Sequence, residues 1–322
     1  MDIYQSSTEY LAKFSLFCSW PELYSLFTHI SGRRPREWYL PVGACEAVGG
    51  SVEQAIPAVA AVACAQTAIL LIDDMLDEDP RGEYRRAGAA RTANYAAALQ
   101  AIGAEALGSA GRPHTSLAAL ESFNQALLAV AFGQHLDAQN LSDENAYWQV
   151  VRHKSAAFFG MCLHLGALLG KATGETARLV RQIGQLYGEM IQIHDDLNDT
   201  LDTPASPDWL QGRMPLPILF AQCADHPERG RFMELRLQVS EEEALLEAQD
   251  ILIRCGAVSF CVDQLLRRRQ AAQQVLQAAN LARPEWVVIL LEEVVAPVWK
   301  LFDALGAGPL RVPVPNRAGE AV

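Results

Sequence analysis

The sequence has few alternating runs of β-branched residues, the pattern of a half-buried β-strand. Ala, Leu, Gln, Glu and Arg recur instead at helical spacing from Glu53 to Leu305. The predicted fold class is therefore all-α, with one helical domain over residues 1–305. The tail, residues 306–322, is rich in Pro, Gly and Arg, and we expect it to be disordered.

Basic stripes and paired cysteines are also missing. The net charge is −12 and no Lys/Arg-rich stripe occurs, so nucleic acid is not an expected partner. The seven cysteines form no Cys-x-x-Cys pair, which argues against a disulfide framework and against a zinc site. The N-terminus lacks the basic region and apolar stretch of a signal peptide, so the expected location is the cytoplasm.

One apolar stretch, Ala55–Ile72, is long enough to be compared with a membrane span. It is rich in alanine, contains Pro57 and Gln66, and runs directly into acidic residues. A buried central helix explains this composition better, and we predict no membrane span. Further helices are predicted over Leu11–His29, Glu144–Leu169 and Glu175–Leu197.

Two short acidic segments share the pattern Asp-Asp-x-x-Asp. The first aspartate motif is Asp73–Asp77 and the second is Asp195–Asp199. In a helix, residues four apart lie on one face, so each motif presents neighbouring carboxylates, whose like charges repel.

Both motifs are predicted to lie at the C-terminal ends of helices, because Pro80 follows the first and Pro204 follows the second. A carboxylate there is unfavourable by roughly 0.3–1 kcal/mol against the helix dipole. A solvated helix face or an N-cap is the ordinary interpretation of such acids, but it does not fit this position. A cation bound at each motif would relieve the repulsion between its carboxylates.

Mg²⁺ suits these motifs, since it takes one or two protein carboxylates and completes its shell with water and phosphate oxygens. Calcium in a dedicated loop is the competing interpretation. The sequence has no Asp-x-Asp-x-Asp-Gly loop with a closing Glu, so Mg²⁺ is preferred.

With these motifs on helices, the chain resembles the trans-isoprenyl diphosphate synthases, the polyprenyl synthetase family, from about Ser31 to Gln222. Four further features carry the resemblance. They are the basic turn Gly32-Arg33-Arg34-Pro35-Arg36, Gly133-Gln134 with Asp137, Lys154-Ser155, and Gln192 ahead of the second motif.

The resemblance implies a helical bundle around a deep pocket, usually a homodimer, with the two motifs facing each other across its mouth. About three Mg²⁺ ions would hold the diphosphate of an allylic substrate and promote its departure. Isopentenyl diphosphate would then attack the allylic carbocation. The implied metal ligands are Asp73, Asp77, Asp195 and Asp199, and the implied catalytic set adds Asp74, Asp196 and Lys154.

The resemblance also assigns substrate-binding residues. Arg33 and Arg36 would hold the second diphosphate, because a guanidinium pairs with phosphate oxygens in a bidentate way. The alternative interpretation is that they are ordinary loop arginines. Lys154 and Gln192 would contact the allylic diphosphate and its metal shell.

Several positions depart from the family pattern. Gln66 stands where the family usually has His, and Arg213 stands where it has Lys. The family's Arg-Arg-Gly after the first motif is best matched by Arg85 and Arg86 within the loop 78–88. These changes affect the expected choice of substrate more than the metal chemistry.

Product length in the family depends on side chains below the first motif. Here Ala61, Ala65 and Ala68, with Ile69 beside them, offer no aromatic stopper, which favours a product of roughly fifteen to twenty carbons or more. Two other interpretations remain open. Alanines at helical spacing also permit close helix packing, and Phe158 and Phe159 could block a tunnel from a neighbouring helix.

Three other functions share part of this sequence pattern. A class I terpene cyclase would spread its second metal motif over nine residues and would need no basic turn at Arg33 and Arg36. A non-catalytic subunit of a heteromeric synthase would have lost its motifs, and both are intact. A prenyltransferase acting on a peptide would keep the metal site, so the sequence leaves this alternative open.

Overall fold

The computed structural model describes residues 1–110, 113–139, 141 and 143–304. All regular structure in these ranges is helical, which confirms the all-α prediction. The tail predicted to be disordered, residues 306–322, lies outside the described residues. The α-helices are α1 Ile3–Leu11, α2 Ser15–Cys18, α3 Pro21–Gly32, α4 Leu40–Ala47, α5 Val52–Leu76, α6 Glu83–Ala87, α7 Ala89–Gly108, α8 Pro113–Asp137, α9 Glu144–His153, α10 Ser155–Leu169, α11 Gly174–Leu201, α12 Pro207–Leu210, α13 Leu216–Cys223, α14 Arg229–Leu235, α15 Glu242–Arg254, α16 Ala257–Ala279 and α17 Glu285–Ala304. Two 3₁₀ helices cover Arg36–Tyr39 and Arg236–Gln238.

The chain forms two compact units. Unit 1 comprises Met1–Val130, Ala157–Gly184 and Val275–Val287, and unit 2 comprises Ala131–Ala156, Gln185–Gln274 and the chain from Val288. Each unit has a hydrophobic cluster of its own. The single domain expected over residues 1–305 stays a prediction.

Helix α5 forms the centre of unit 1. The backbone N–H of Ser51, just before the helix, donates to Gln54 Oε1 at 2.9 Å, as in a capping box. The helix packs chiefly on α7, where a Cβ at Gly103 would lie only 3.3 Å from the Cβ of Cys64. It is long and apolar enough to cross a membrane, but 78% of its apolar window is buried inside the protein. The prediction of a buried central helix is confirmed.

In unit 2, polar contacts to the backbone fix the end of α11. The indole N–H of Trp209 donates to the carbonyl of Thr200 at 3.0 Å. The amide of Gln249 donates to the carbonyls of Thr200 and Asp202 at 3.1 and 2.9 Å. Trp209 also packs in the unit 2 cluster with Phe232 and Ile251. These contacts hold the helix end that carries the second motif.

Two helix predictions were wrong. The segment Leu11–His29 is interrupted, because α1 ends at Leu11 and α3 begins anew at Pro21, whose ring suits a first helical position. The segment Glu144–Leu169 breaks at Lys154, whose backbone is not helical (φ −88°, ψ −86°). A Cβ at Gly133 would lie 2.8 Å from the Lys154 nitrogen, so α8 approaches the chain closely at this break.

Candidate active site

The first motif lies at the C-terminal end of α5, as predicted. The N–H of Asp77, the C-cap, donates to the carbonyl of Asp73 at 2.8 Å. Partial burial raises the pKa of Asp74, and the charges of Asp79 and Asp73 raise it further. Several carboxylates therefore lie close together at the end of α5, and their repulsion contributes to the raised pKa of Asp74.

The segment after the first motif contains three arginines in different situations. Arg81 forms an ion pair with Asp79 at 2.9 Å, and its hydrogen bonds lower the pKa of that carboxyl to about 2. Arg86 forms an ion pair with Glu83. Arg85 makes no ion pair with the described residues, and its guanidinium lies 5.0 Å from the centre of the Tyr84 ring. Of the two predicted arginines, Arg85 is thus better placed to meet a ligand.

In the second motif, the middle aspartate is buried and fully engaged. Asp196 is 4% exposed. Its Oδ2 accepts from the Tyr147 hydroxyl at 2.7 Å and from the N–H of Leu216 at 2.8 Å, and its Oδ1 accepts from Gln192 Nε2 at 2.8 Å. Burial raises the pKa of Asp196 to about 6, although these three donors oppose the rise. Asp196 therefore joins three segments of unit 2.

The outer aspartates of the second motif are exposed instead. The Asp195 side chain is 58% exposed. Asp199 is also exposed, but neighbouring protein atoms displace part of its hydration, and this desolvation raises its pKa. The charges of Asp195 and Asp202 raise the pKa further. These two side chains present oxygens to solvent, while the aspartate between them holds the fold.

A cavity of about 110 Å³ in unit 2 brings together four predicted site residues. They are Lys154, Gln192, Asp196 and Arg213. Lys154 Nζ lies 2.9 Å from Asp137 Oδ2, and Gln192 Oε1 accepts from the Ser155 hydroxyl at 2.6 Å. The helix break thus places the Lys154 ammonium in the cavity wall, and the next residue, Ser155, holds the Gln192 side chain.

Arg213 enters this cavity from the turn before α13. The Arg213 guanidinium lies 3.8 Å from Asp208 Oδ1, and the backbone N–H of Arg213 donates to the Asp208 carbonyl at 2.9 Å. The half-buried Arg236 donates to the carbonyls of Gly212 and Arg213 at 3.3 and 3.4 Å. The turn is therefore supported by contacts beyond its own residues.

The basic turn is held against α1 in unit 1. The Tyr4 hydroxyl donates to the carbonyl of Pro35 at 3.1 Å, and Arg34 pairs with Asp2 at 2.9 Å. Arg33 and Arg36 remain exposed on this turn, and Arg33 Nη2 lies 3.1 Å from His29 Nε2. Both predicted arginines therefore lie on an exposed turn.

The predicted site residues in the middle of α5 are buried or partly buried. Gln66 Oε1 accepts from the Trp38 indole at 2.8 Å. The three alanines, Ala61, Ala65 and Ala68, are fully buried, and Ile69 is partly buried. The Ala61 carbonyl would lie 3.3 Å from a Cβ at Gly103, so α5 and α7 approach closely at this level.

The family model for polyprenyl synthetases matches residues 21–252. The chain belongs to the polyprenyl synthetase family. It is similar to the octaprenyl diphosphate synthase of Escherichia coli, with 27% identity over 71% of this chain and 74% of the relative. It is also similar to a geranylgeranyl diphosphate synthase of Methanosarcina mazei, with 25% identity over 74% and 78% of the two chains.

Solved structures show the same fold. A decaprenyl diphosphate synthase from Rhodobacter capsulatus matches with a TM-score of 0.79 and 18% identity, covering 92% of this chain and 95% of the other. A geranylgeranyl pyrophosphate synthetase from Pyrococcus horikoshii matches with a TM-score of 0.78 and 20% identity over 91% and 93%. By family, the protein is a trans-isoprenyl diphosphate synthase, an enzyme of isoprenoid biosynthesis. The cyclase, peptide-transferase and non-catalytic alternatives are not favoured.

The donor set of this polyprenyl synthetase fits a metal that shares its shell with a substrate. In the described ranges, no three His, Cys, Asp or Glu side chains converge as a ready-made metal cage. The carboxylates of both motifs are hard oxygen donors, and Mg²⁺ needs only one or two of them beside phosphate oxygens and water. The chemistry of the donors therefore suits Mg²⁺.

Sequence reasoning missed several residues that position this site. Tyr147 donates a hydrogen bond to Asp196, and Trp38 donates one to Gln66. Asp208 forms an ion pair with Arg213. Tyr147 precedes Asp196 by 49 residues. Nothing in the local pattern around a tyrosine on an amphipathic helix indicates such a partner.

Proposed function

We propose that this enzyme joins an allylic diphosphate (dimethylallyl, geranyl or farnesyl) to isopentenyl diphosphate and forms a longer all-trans prenyl diphosphate. The carbon–oxygen bond of the allylic substrate breaks, a carbon–carbon bond forms, and a proton leaves, to be taken up by the released diphosphate. The relatives' names, which include octaprenyl and geranylgeranyl diphosphate synthases, support this substrate class.

The observation that carries the proposal is the division of roles in the second motif. Asp196 is locked by three hydrogen bonds, while Asp195 and Asp199 point exposed carboxylates from a fixed helix end. Beside Asp196, the cavity contains the cations Lys154 and Arg213. Rigid acids next to cations suit a diphosphate that is bound partly through metal ions.

Asp73 and Asp77 in unit 1, and Asp195 and Asp199 in unit 2, would hold Mg²⁺. When bound, the ions neutralise charge that develops on the departing diphosphate, and so lower the barrier to ionisation. Asp196 would hold the second motif in place, and Asp74 would add a further carboxylate to the first. The family resemblance implies about three ions.

The cationic side chains would bind the two diphosphates. In unit 2, Lys154, Gln192 and Arg213 would hold the allylic diphosphate. In unit 1, Arg85 would contact a diphosphate oxygen. Arg33 and Arg36 would hold isopentenyl diphosphate, because they are exposed on a turn anchored by Tyr4.

The proposed product has roughly fifteen to twenty carbons or more. No aromatic side chain stands among Ala61, Ala65, Ala68 and Ile69 on α5, which favours a long chain. Phe158 and Phe159 on α10 are each 9% exposed and form an edge-to-face pair, so they would be the stoppers if the product is shorter.

We also propose a cytoplasmic homodimer. Leu117 and Leu128 on α8 are 57% and 73% exposed, and a second copy of the chain would cover them in such a dimer. Sedimentation of the wild-type protein and of Leu128→Glu tests this assembly. A dimer that dissociates in the variant supports it, and a wild-type monomer refutes it.

The experiment that tests the function is mass spectrometry of the products. The purified protein and Mg²⁺ are incubated with isopentenyl diphosphate and, in turn, dimethylallyl, geranyl or farnesyl diphosphate. Longer prenyl diphosphates are expected, and the longest one fixes the product length. Hydrocarbons or alcohols from the allylic substrate alone would indicate a cyclase, and no conversion would refute the proposal for this chain acting alone.

A further inference from the structure

The turn between α12 and α13 fixes the backbone of Arg213. Gly212, two residues after the end of α12, has a φ of +70°. The N–H of Arg213 donates to the carbonyl of Asp208 at 2.9 Å, and the N–H of Gly212 donates to the carbonyl of Trp209 at 3.3 Å. These are the two hydrogen bonds of a Schellman motif, a common helix end at a glycine with positive φ. The motif therefore determines where the Arg213 side chain leaves the turn.

The carbonyls of Gly212 and Arg213 cannot be paired by the chain that follows them. A helical turn would offer each carbonyl an N–H from the residue three or four positions later. Pro215 and Pro217 have no N–H, and the N–H of the residue between them already donates to Asp196 at 2.8 Å. The two carbonyls therefore need a donor from elsewhere in the protein.

Arg236 supplies a donor for both carbonyls. Its Nη2 lies 3.3 Å from the carbonyl oxygen of Gly212 and 3.4 Å from that of Arg213. Its Nη1 donates to Gln222 Oε1 on α13 at 2.5 Å. The preceding residue, Leu235, is buried in the hydrophobic cluster of unit 2. The guanidinium of Arg236 thus joins the turn to α13 and is itself held next to a buried side chain.

The charge of Arg236 has no carboxylate partner in the described part of the chain. Arg231, on the preceding helix, pairs instead with Glu247 at 2.7 Å. Partial burial lowers the pKa of Arg236, but a guanidinium keeps its proton at neutral pH. Its positive charge therefore offsets the partial negative charge of the two carbonyls rather than that of an acid.

We infer that Arg236 is a positioning residue for diphosphate binding, because it holds the turn that keeps Arg213 at the cavity wall. Under the proposed function, on which this inference rests, Arg213 contacts the allylic diphosphate and Arg236 acts through it. Unpaired carbonyls on the same turn would leave it less fixed and would repel an anion nearby. Pairing both carbonyls with a cation favours diphosphate binding in both respects.

The first test is the binding of inorganic pyrophosphate in the presence of Mg²⁺, measured by calorimetry on wild type and Arg236→Met. Met keeps an unbranched stem but removes the charge and the donors. We expect about tenfold weaker binding, the effect of misplacing one charged contact. Arg236→Lys keeps a charge and several donors, so it should recover most of the affinity. Unchanged affinity in Arg236→Met would overturn the inference. If this variant does not fold, Arg236→Gln takes its place in the same test.

Arg231→Met is the matched control. It makes the same substitution on an arginine of α14 that is half exposed and pairs with Glu247. Breaking an exposed ion pair should have little effect, so pyrophosphate affinity should match that of the wild type. A loss as large as that of Arg236→Met would overturn the inference, since any loss of positive charge from this region would then explain the result.

A double variant separates positioning from a general effect on the fold. Arg213→Met should itself weaken pyrophosphate binding about tenfold. Adding Arg236→Met to it should weaken binding by less than about twofold more, because Arg236 acts through a side chain that is already absent. A further tenfold loss would show that Arg236 acts independently of Arg213 and would overturn the inference.

Steady-state kinetics adds a second readout. Arg236→Met should raise KM for the allylic diphosphate about tenfold with little change in kcat, as expected for a contact made equally in substrate and transition state. A fall in kcat with unchanged KM would contradict the inference. If the wild type neither binds pyrophosphate nor forms product, the proposed function fails and the inference fails with it. If the wild type does both and Arg236→Met binds equally well, the inference alone fails.

Discussion

The two aspartate motifs have the same spacing but use their middle residue differently. Asp196 is buried and accepts three hydrogen bonds from separate segments of unit 2. Asp74 is only partly buried, and its raised pKa comes from burial together with neighbouring acids. The same sequence pattern can therefore place its middle carboxylate in two different roles. It can join several segments through buried hydrogen bonds, or it can add to a cluster of acidic side chains.

The largest expected effect comes from removing an outer aspartate. Asp195→Ala should lower turnover by roughly a thousandfold or more, because charge on the departing diphosphate would lose part of its compensation. The variant should fold with unchanged or slightly higher stability, since the substitution relieves repulsion between carboxylates at a helix end. Asp73→Ala should behave alike. Near-normal product formation in either variant would contradict the assignment of these residues as metal ligands.

The sharpest contrast between the motifs should appear in stability. Asp196→Ala leaves the donors of Tyr147, Leu216 and Gln192 without their acceptor, and should cost about 3–5 kcal/mol of unfolding free energy. Asp74→Ala should change it by less than about 0.5 kcal/mol. Urea denaturation of both variants measures the difference. Equal losses would show that the middle aspartates have the same role.

A smaller effect is expected for the partner of Asp196. Tyr147→Phe should cost about 2 kcal/mol, because it removes a hydrogen bond to a buried carboxylate. Tyr10→Phe is the matched control, since its hydroxyl donates to a neutral acceptor, the carbonyl of Ala106, at 3.0 Å. It should cost about 1 kcal/mol. If the control costs as much as Tyr147→Phe by urea denaturation, the description of Asp196 as a residue that joins several segments is wrong.

The smallest effect should separate the two arginines near the first motif. Arg85→Ala should raise KM for the allylic diphosphate about tenfold, as expected for losing one charged contact. Arg86→Ala breaks an exposed ion pair with Glu83 and should change KM less than about threefold. Steady-state kinetics on both variants decides this, and a larger effect for Arg86 would reverse the assignment.

Sequence reasoning predicted the helical class, the central helix α5 and the position of both motifs, because these depend on local signals. Apolar composition marks α5, and Pro80 and Pro204 follow the motifs. The break at Lys154 was missed because lysine is a good helix former, and the break coincides with the close approach of Gly133 from another helix. Such contacts cannot be read from local periodicity.

The role of Asp196 was hidden for the same reason. Its hydrogen-bond partners come from residues 147, 192 and 216, and only Gln192 is a helical neighbour. The different situations of Arg85 and Arg86 were also hidden, because the pairing of Arg86 depends on the conformation of α6. The residue types were enough to predict the chemistry of the site. The role of each individual residue depends on tertiary contacts that the sequence does not show.

The most direct test counts bound Mn²⁺, a paramagnetic substitute for Mg²⁺, by electron paramagnetic resonance in the presence of pyrophosphate. The account predicts that Asp195→Ala binds fewer ions per chain than the wild type, whereas Asp196→Asn, studied below its melting temperature, binds the same number. Loss of ions in Asp196→Asn, or full occupancy in Asp195→Ala, would contradict the division of roles within the second motif.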